Sequence, residues 1–282
     1  MQKDKIITIR KNIYAIKEKV DGKTEIPYGD IIILVHGYNV SEEGAKEAYT
    51  KFQENFSKYS SQLSKLNKAI HYFLWPSDKP NKLDSILSYF KTVNTAKVCG
   101  ERFAKYLNKL NLISTSNEQP RITLIGHSLG CRLLLEALKK TVNTNLRLEV
   151  FLMAPAVPVS MVQPDKQLNP SISSTEKYSI LYSKKDDVLK WTFPIGQKLA
   201  GEGFDEAVGL KGNPHKGVWS NTKETTYGHS DYWKGEESAE WIAAKLGVLK
   251  TFSRKLKLQR PTPAFEARDL KWRKISWRSN LA

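Results

Sequence analysis

Three residue types that together can perform nucleophilic chemistry occur in a workable order along the chain. They are a serine inside Gly126-His127-Ser128-Leu129-Gly130, two adjacent carboxylates at Asp186 and Asp187, and a histidine at His229. A serine hydroxyl is a weak nucleophile until a base takes its proton, and the base needs a third group to fix its tautomer. The Gly-x-Ser-x-Gly spacing suits a serine on a sharp strand-to-helix turn, where flanking side chains would collide. Such a turn also sets Ser128 at a helix N-terminus, where backbone N–H groups can stabilise the negative charge of a tetrahedral intermediate. Leu129 would supply one of those N–H groups. The second donor is expected from the loop after the apolar run at 31–35, which reads His36-Gly37-Tyr38-Asn39; Gly37 permits close backbone approach, and Tyr38 N–H is the candidate.

These groups converge only if regular elements carry them to one place. The chain alternates short β-branched runs with longer segments of helical period, the pattern of a parallel sheet covered by helices. Strands are expected at 6–10, 13–18, 31–35, 69–75, 121–126, 148–154 and 178–182. Ser41 is a plausible N-cap for a helix whose apolar face is Ala45, Ala48, Tyr49, Phe52 and Phe56. A long helix should follow from Ile86 to Leu110, bent at Gly100, then shorter ones at 129–140 and 238–246. The segment 155–177, rich in Pro, Ser and Gln, suits a lid or substrate loop. The stretch 191–228 reads as irregular, with Trp191, Phe193, Phe204 and Trp219 among glycines.

Composition narrows the classes. The 282 residues are 40% hydrophobic and 26% charged, which excludes a mainly disordered chain, a collagen-like repeat and a disulfide scaffold. No apolar run approaches the roughly 20 residues of a membrane span. The N-terminus lacks the apolar region of a signal peptide. Cys99 and Cys131 are the only cysteines, which suits a reducing cytoplasm and reads as core packing. No His, Cys or Asp cluster has metal-ligand spacing and no glycine-rich phosphate loop is present, so neither metal nor cofactor is expected. The net charge is +16, of which +8 falls in the last 34 residues. That tail sets Lys271, Arg273, Lys274 and Arg278 around Trp272, Ile275 and Trp277, a mixture suited to an anionic membrane surface. Charge alone also admits nucleic acid, but no recognised module supports it.

The motifs resemble those of the α/β-hydrolase superfamily and, more narrowly, an uncharacterised bacterial branch of it with an HGYN signature. The resemblance spans roughly residues 28–247 and rests on His36-Gly37-Tyr38-Asn39, Trp75-Pro76-Ser77, the Gly-His-Ser-Leu-Gly turn and His229. It implies a mostly parallel central sheet flanked by helices on both faces over residues 1–248, followed by a basic extension at 249–282. It further implies a serine hydrolase acting on a small acyl ester or thioester, with Ser128 as nucleophile and His229 as base. In such hydrolases the acid after the late strand begins an Asp-x-Val-like run, which falls on Asp186 with Asp187 as its neighbour. Relatives often carry Asp in an Ala-Pro-Asp run, whereas this chain has Ala154-Pro155-Ala156, which adds weight to Asp186. His36 is expected to bond loop backbone, His127 to pack under the turn, and His71 and His215 to hold ordinary positions. Trp75 fits either the core or a pocket wall. The alternative to an enzyme is a non-catalytic binding module that keeps the same turn for structural reasons.

Overall fold

Ile31–Val35 is buried along its whole length, as happens when a strand is covered on both faces. In the computed structural model, which describes residues 3–12, 15–26, 30–61, 69–78, 85–112, 119–143, 146–169, 171, 177–213 and 221–249, that run is one strand of an eight-stranded sheet. The strands in chain order are β1 (Ile6–Arg10), β2 (Ile16–Asp21), β3 (Glu25–Ile26), β4 (Ile31–Val35), β5 (Ile70–Leu74), β6 (Asn111–Leu112), β7 (Arg121–His127), β8 (Arg147–Met153), β9 (Lys177–Tyr182) and β10 (Asn221–Glu224). The helices are α1 (Glu42–Tyr59), α2 (Ser85–Leu107), α3 (Leu129–Leu138), α4 (Phe193–Leu199), α5 (Val208–Lys211) and α6 (Glu236–Lys245). The main sheet runs β10-β9-β8-β7-β4-β5-β1-β2, and β3 pairs with β6 apart from it. Every neighbouring pair in the main sheet is parallel except β1 with β2.

Alternation along the strands decides which helices cover which face. Ile31, Ile33 and Val35 pack with Val93, Cys99 and Phe103 of α2 and Leu133 and Leu134 of α3. Ile32 and Leu34 pack on the other side with Ala45, Tyr49 and Phe52 of α1 and Ile242 and Ala243 of α6. The start of α1 is fixed by Ser41, whose Oγ accepts the Gly44 N–H at 3.0 Å. Strand order reverses beside β4, since β5 lies on one side of it and β7 on the other. A parallel sheet opens a crevice at such a point, beyond the carboxyl ends of the strands. The register pairs Val35 with Gly126, so the chain leaving β4 emerges beside Ser128.

Several expectations need correction. The second strand begins at Ile16, three residues later than its apolar start suggested. The long helix ends at Leu107 and not Leu110. It runs on through Gly100, where an added Cβ would lie 2.7 Å from Leu133 O, so the glycine permits close packing of α3. The described part of 191–228 is less irregular than expected, for it contains α4, α5 and β10. Pro194 lies in the first turn of α4, where proline is tolerated and does not break the helix. The described part of 155–177 buries Val157, Val162, Leu168 and Ser171, so these residues are core rather than lid. No described helix is long and apolar enough to cross a membrane. The chain divides into Met1–Lys250 and Thr251–Ala282. The second unit, with the basic aromatic tail, lies outside the described residues, as do His215 and Trp219.

Candidate active site

Ser128 joins β7 to α3 with no intervening loop and has φ 53° and ψ −123°, a left-handed conformation that costs a non-glycine residue about 1–3 kcal/mol. The surroundings hold it there. Its N–H donates to Met153 O at 3.0 Å, and its carbonyl accepts from Cys131 N at 3.0 Å and Ala156 N at 3.2 Å. An added Cβ on Gly130 would stand 2.3 Å from His36 O, and one on Gly37 would stand 2.9 Å from Ser128 Cβ. Only glycine at these two positions lets the loop after β4 close against the turn.

His229 reaches the serine from the loop between β10 and α6. Its Nε2 lies 2.8 Å from Ser128 Oγ, and its Nδ1 lies 2.8 Å from Asp186 Oδ2. Asp186 is fully buried, and its other oxygen accepts the Leu189 N–H at 3.0 Å. Asp187 is exposed and faces away from this chain of bonds. Sequence favoured Asp186 and kept Asp187 as the alternative, and the structure brings Asp186 to the histidine. Asp231 shapes the loop by accepting the Gly228 N–H at 2.9 Å. The aromatic residues beside His229 do not hold it at the surface: Tyr232 is fully buried, and Trp233 packs edge-on to Tyr49 and Phe52.

Two further histidines brace the site without joining that chain. His127 Nε2 donates to the His229 carbonyl at 2.7 Å, and burial lowers its pKa to about 3, the nearby His229 acting in the same direction. It is neutral and ties the histidine loop to the end of β7. His36 is stacked on Trp75 with ring centroids 5.6 Å apart, and its Nδ1 lies 3.1 Å from Gly37 O. Its Nε2 accepts the Trp75 N–H at 3.3 Å, while Trp75 Nε1 donates to His36 O at 2.8 Å. Burial lowers the pKa of His36 to about 3 as well. Ser77 O accepts the Asn39 N–H at 2.8 Å, and Ser77 Oγ donates to Val40 O at 3.2 Å. The two sequence motifs after β4 and β5 are therefore two halves of one clamp, and Trp75 is core, not pocket wall. His71 is buried with Nδ1 3.0 Å from Ala69 O. Cys131 is buried beneath the turn, its thiol pushed well above its ordinary pKa, which keeps it protonated and inert.

A cavity of about 280 Å³ opens at Ser128 and His229, lined by Tyr38, Tyr89, Ala156, Leu189 and Phe193 and by no Asp, Glu, Lys or Arg side chain. Of the two residues expected to supply oxyanion N–H groups, Tyr38 lines the pocket and Leu129 is the first residue of α3. Ala156, where relatives were expected to carry an acid, lines the pocket with a methyl group. Part of the pocket wall formed by Val188, Leu189, Thr192, Phe193, Gly196 and Tyr89 falls in the 191–228 stretch, whose loop geometry was expected to set substrate choice, but its helical form was not anticipated. Leu189 and Phe193 one turn apart were its signal, obscured because 188–192 winds as a π-helix and Pro194 reads as a breaker. A buried ion pair pins this wall to α3. The Arg132 guanidinium, fully buried, donates twice to Glu202 at 3.1 Å and once to Glu136 at 2.8 Å. No group of three His, Cys, Asp or Glu side chains that could hold a metal ion occurs among the described residues.

The fold is similar to several solved structures. An uncharacterized protein from Bacillus cereus is 13% identical with a TM-score of 0.41, over 82% of this chain and 63% of that one. TT1662 from Thermus thermophilus is 14% identical with a TM-score of 0.44, over 78% and 88%. The methylesterase MES16 from Arabidopsis is 11% identical with a TM-score of 0.39, over 79% and 99%. No functionally curated protein matches the sequence significantly. Residues 15–200 match the sequence model of an alpha/beta hydrolase family of unknown function, DUF900. That span includes Ser128 and Asp186 and stops short of His229. It covers well over half the chain, whose mostly parallel sheet carries helices on both faces, and the protein therefore belongs to the DUF900 family of alpha/beta hydrolases.

Proposed function

We propose that this chain is a serine hydrolase that cleaves carboxyl esters or thioesters through an acyl-enzyme. The observation that carries the reading is the unbroken hydrogen-bond chain from Asp186 through His229 to Ser128 Oγ, with 2.8 Å at each link, ending at an apolar pocket. His229 Nε2 takes the hydroxyl proton as Ser128 Oγ attacks the acyl carbonyl. Asp186 holds Nδ1–H and stabilises the imidazolium that forms. Negative charge on the carbonyl oxygen falls to the N–H groups of Leu129 and Tyr38. Leu129 is suited to this because a first-turn N–H has no intrahelical acceptor. The imidazolium then gives its proton to the leaving alcohol or thiol as the carbon–oxygen or carbon–sulfur bond breaks. A water molecule, deprotonated by the same nitrogen, attacks the acyl-serine and restores the enzyme.

The apolar lining favours an acyl chain over a charged group. The test is labelling by a fluorophosphonate probe together with turnover of p-nitrophenyl esters. The wild-type chain should react with both, and Ser128→Ala, which removes one oxygen, should remain folded and react with neither. Wild-type protein that resists the probe and the esters would instead favour a binding module that keeps the turn for its geometry.

A further inference from the structure

The helical run that walls the pocket has a second face. Leu189, Phe193 and Gln197 turn inward, while Val188, Trp191, Ile195 and Leu199 recur every three or four residues on the outside, with Trp191 63% exposed. Phe204, just beyond α4, is 72% exposed. These five are most of the large exposed hydrophobic side chains among the described residues, and the rest are scattered along the chain. Isolated exposed apolar residues need no explanation, but a contiguous stripe does.

Charge on the same segment points to the occupant. Lys185, Lys190 and Lys198 are exposed and form no ion pair with a described carboxylate, while of the acids from 184 to 206 only Asp187 and Glu206 are exposed, and Glu206 is paired with Lys211. The Lys190 ammonium lies 4.9 Å from the centre of the Trp191 ring. An apolar stripe with a tryptophan, flanked by uncompensated lysines, matches the boundary between lipid headgroups and acyl chains. A second copy of this chain would set like charge against like, on a molecule of net charge +16. Anionic lipid offers the opposite sign. The stripe also borders the pocket, for Val188 and Thr192 both line the cavity and stand exposed at the surface.

We infer that the outer face of residues 188–204 docks on an anionic phospholipid surface, turning the pocket mouth toward the bilayer. The consequence for substrate, an acyl ester drawn from that surface, rests on the hydrolase reading above; the docking itself does not.

Full-length protein carrying Ser128→Ala separates binding from turnover. It should sediment with phosphatidylcholine vesicles that contain phosphatidylglycerol, and not with phosphatidylcholine alone, and added salt should weaken the binding. Trp191→Ser should lower vesicle affinity roughly tenfold. Lys190→Gln and Lys198→Gln should lower it about fivefold each. All three sites are exposed, so the melting temperature should not move. In an otherwise wild-type background, Trp191→Ser should leave hydrolysis of a short soluble ester unchanged and reduce that of an ester embedded in anionic vesicles. The inference is overturned if the protein ignores anionic vesicles. Binding that is unaffected by these substitutions also overturns it, since residues 249–282 or another surface would then be responsible. A self-associating protein that Trp191→Ser renders monomeric, with no vesicle binding, would make a second copy the occupant and overturn it too. Vesicle binding that depends on Trp191 without hydrolysis of any ester would sustain the docking and refute the hydrolase reading.

Discussion

Lowering the pH from about 8 to about 5 should weaken this fold through His36 and His127. Both are buried with pKa values lowered to about 3 from an ordinary 6.5, burial being the main cause. In the unfolded chain they titrate near the ordinary value. Between those limits the unfolded state binds protons that the folded state refuses, so stability falls as the pH falls, and is fully present only above about 6.5. At about pH 5, some 1.5 below the ordinary value and at ~1.4 kcal/mol per pH unit, each histidine costs about 2 kcal/mol, or about 4 kcal/mol for the pair. That is a large share of a typical 5–15 kcal/mol stability. His71, also buried with a lowered pKa, acts in the same direction. Glu101, Glu224, Asp231 and Glu236 have pKa values below the ordinary carboxylate range and contribute chiefly at lower pH. Urea unfolding across the pH range measures the sum, and His127→Gln isolates one part of it. Glutamine can still donate toward the His229 carbonyl but cannot titrate, so the pH sensitivity of the variant should be smaller by about 2 kcal/mol over this range. A wild-type stability that stays flat between pH 8 and pH 5, or a variant with the same slope as wild type, would refute the reasoning.

Three other expectations follow from single contacts. Asp186→Asn should reduce kcat on an activated ester by about 10⁴-fold while Asp187→Asn changes it little, because the first residue bonds His229 and the second faces solvent; the reverse ranking would reassign the acid. Gly130→Ala would set a Cβ 2.3 Å from His36 O and 2.6 Å from Val35 O, both backbone atoms, and should cost about 3 kcal/mol in urea unfolding. Glu202→Gln leaves the buried Arg132 guanidinium short of a carboxylate, which should cost about 3 kcal/mol of stability and be read in the same assay.

Much of the fold was legible because it depends on local pattern. The continuous apolar run at 31–35 announces a strand covered on both faces, and the glycines around Ser128 announce a tight turn, since both are consequences of sterics and burial within a few residues. Ser128 and His229 could be named from residue type and order along the chain. The pocket wall was harder to read, because a π-helix shifts the spacing of inward side chains and a proline at a helix start looks like a stop.

Sequence by itself determined the strand and helix alternation, the turn that carries Ser128, and the order of serine, acid and histidine. Between the adjacent and chemically identical Asp186 and Asp187, the sequence favoured the first only through its resemblance to a family; the tertiary structure adds the geometry, with Asp186 buried and bonded to His229 Nδ1 and Asp187 exposed. It also decided that His36 locks to Trp75, that His127 holds the His229 loop, and that residues between 188 and 196 wall the pocket. These are contacts between segments separated by tens of residues. Periodicity says which face of an element is apolar, whereas the partner of that face, and the direction of one side chain within it, depends on how distant elements pack.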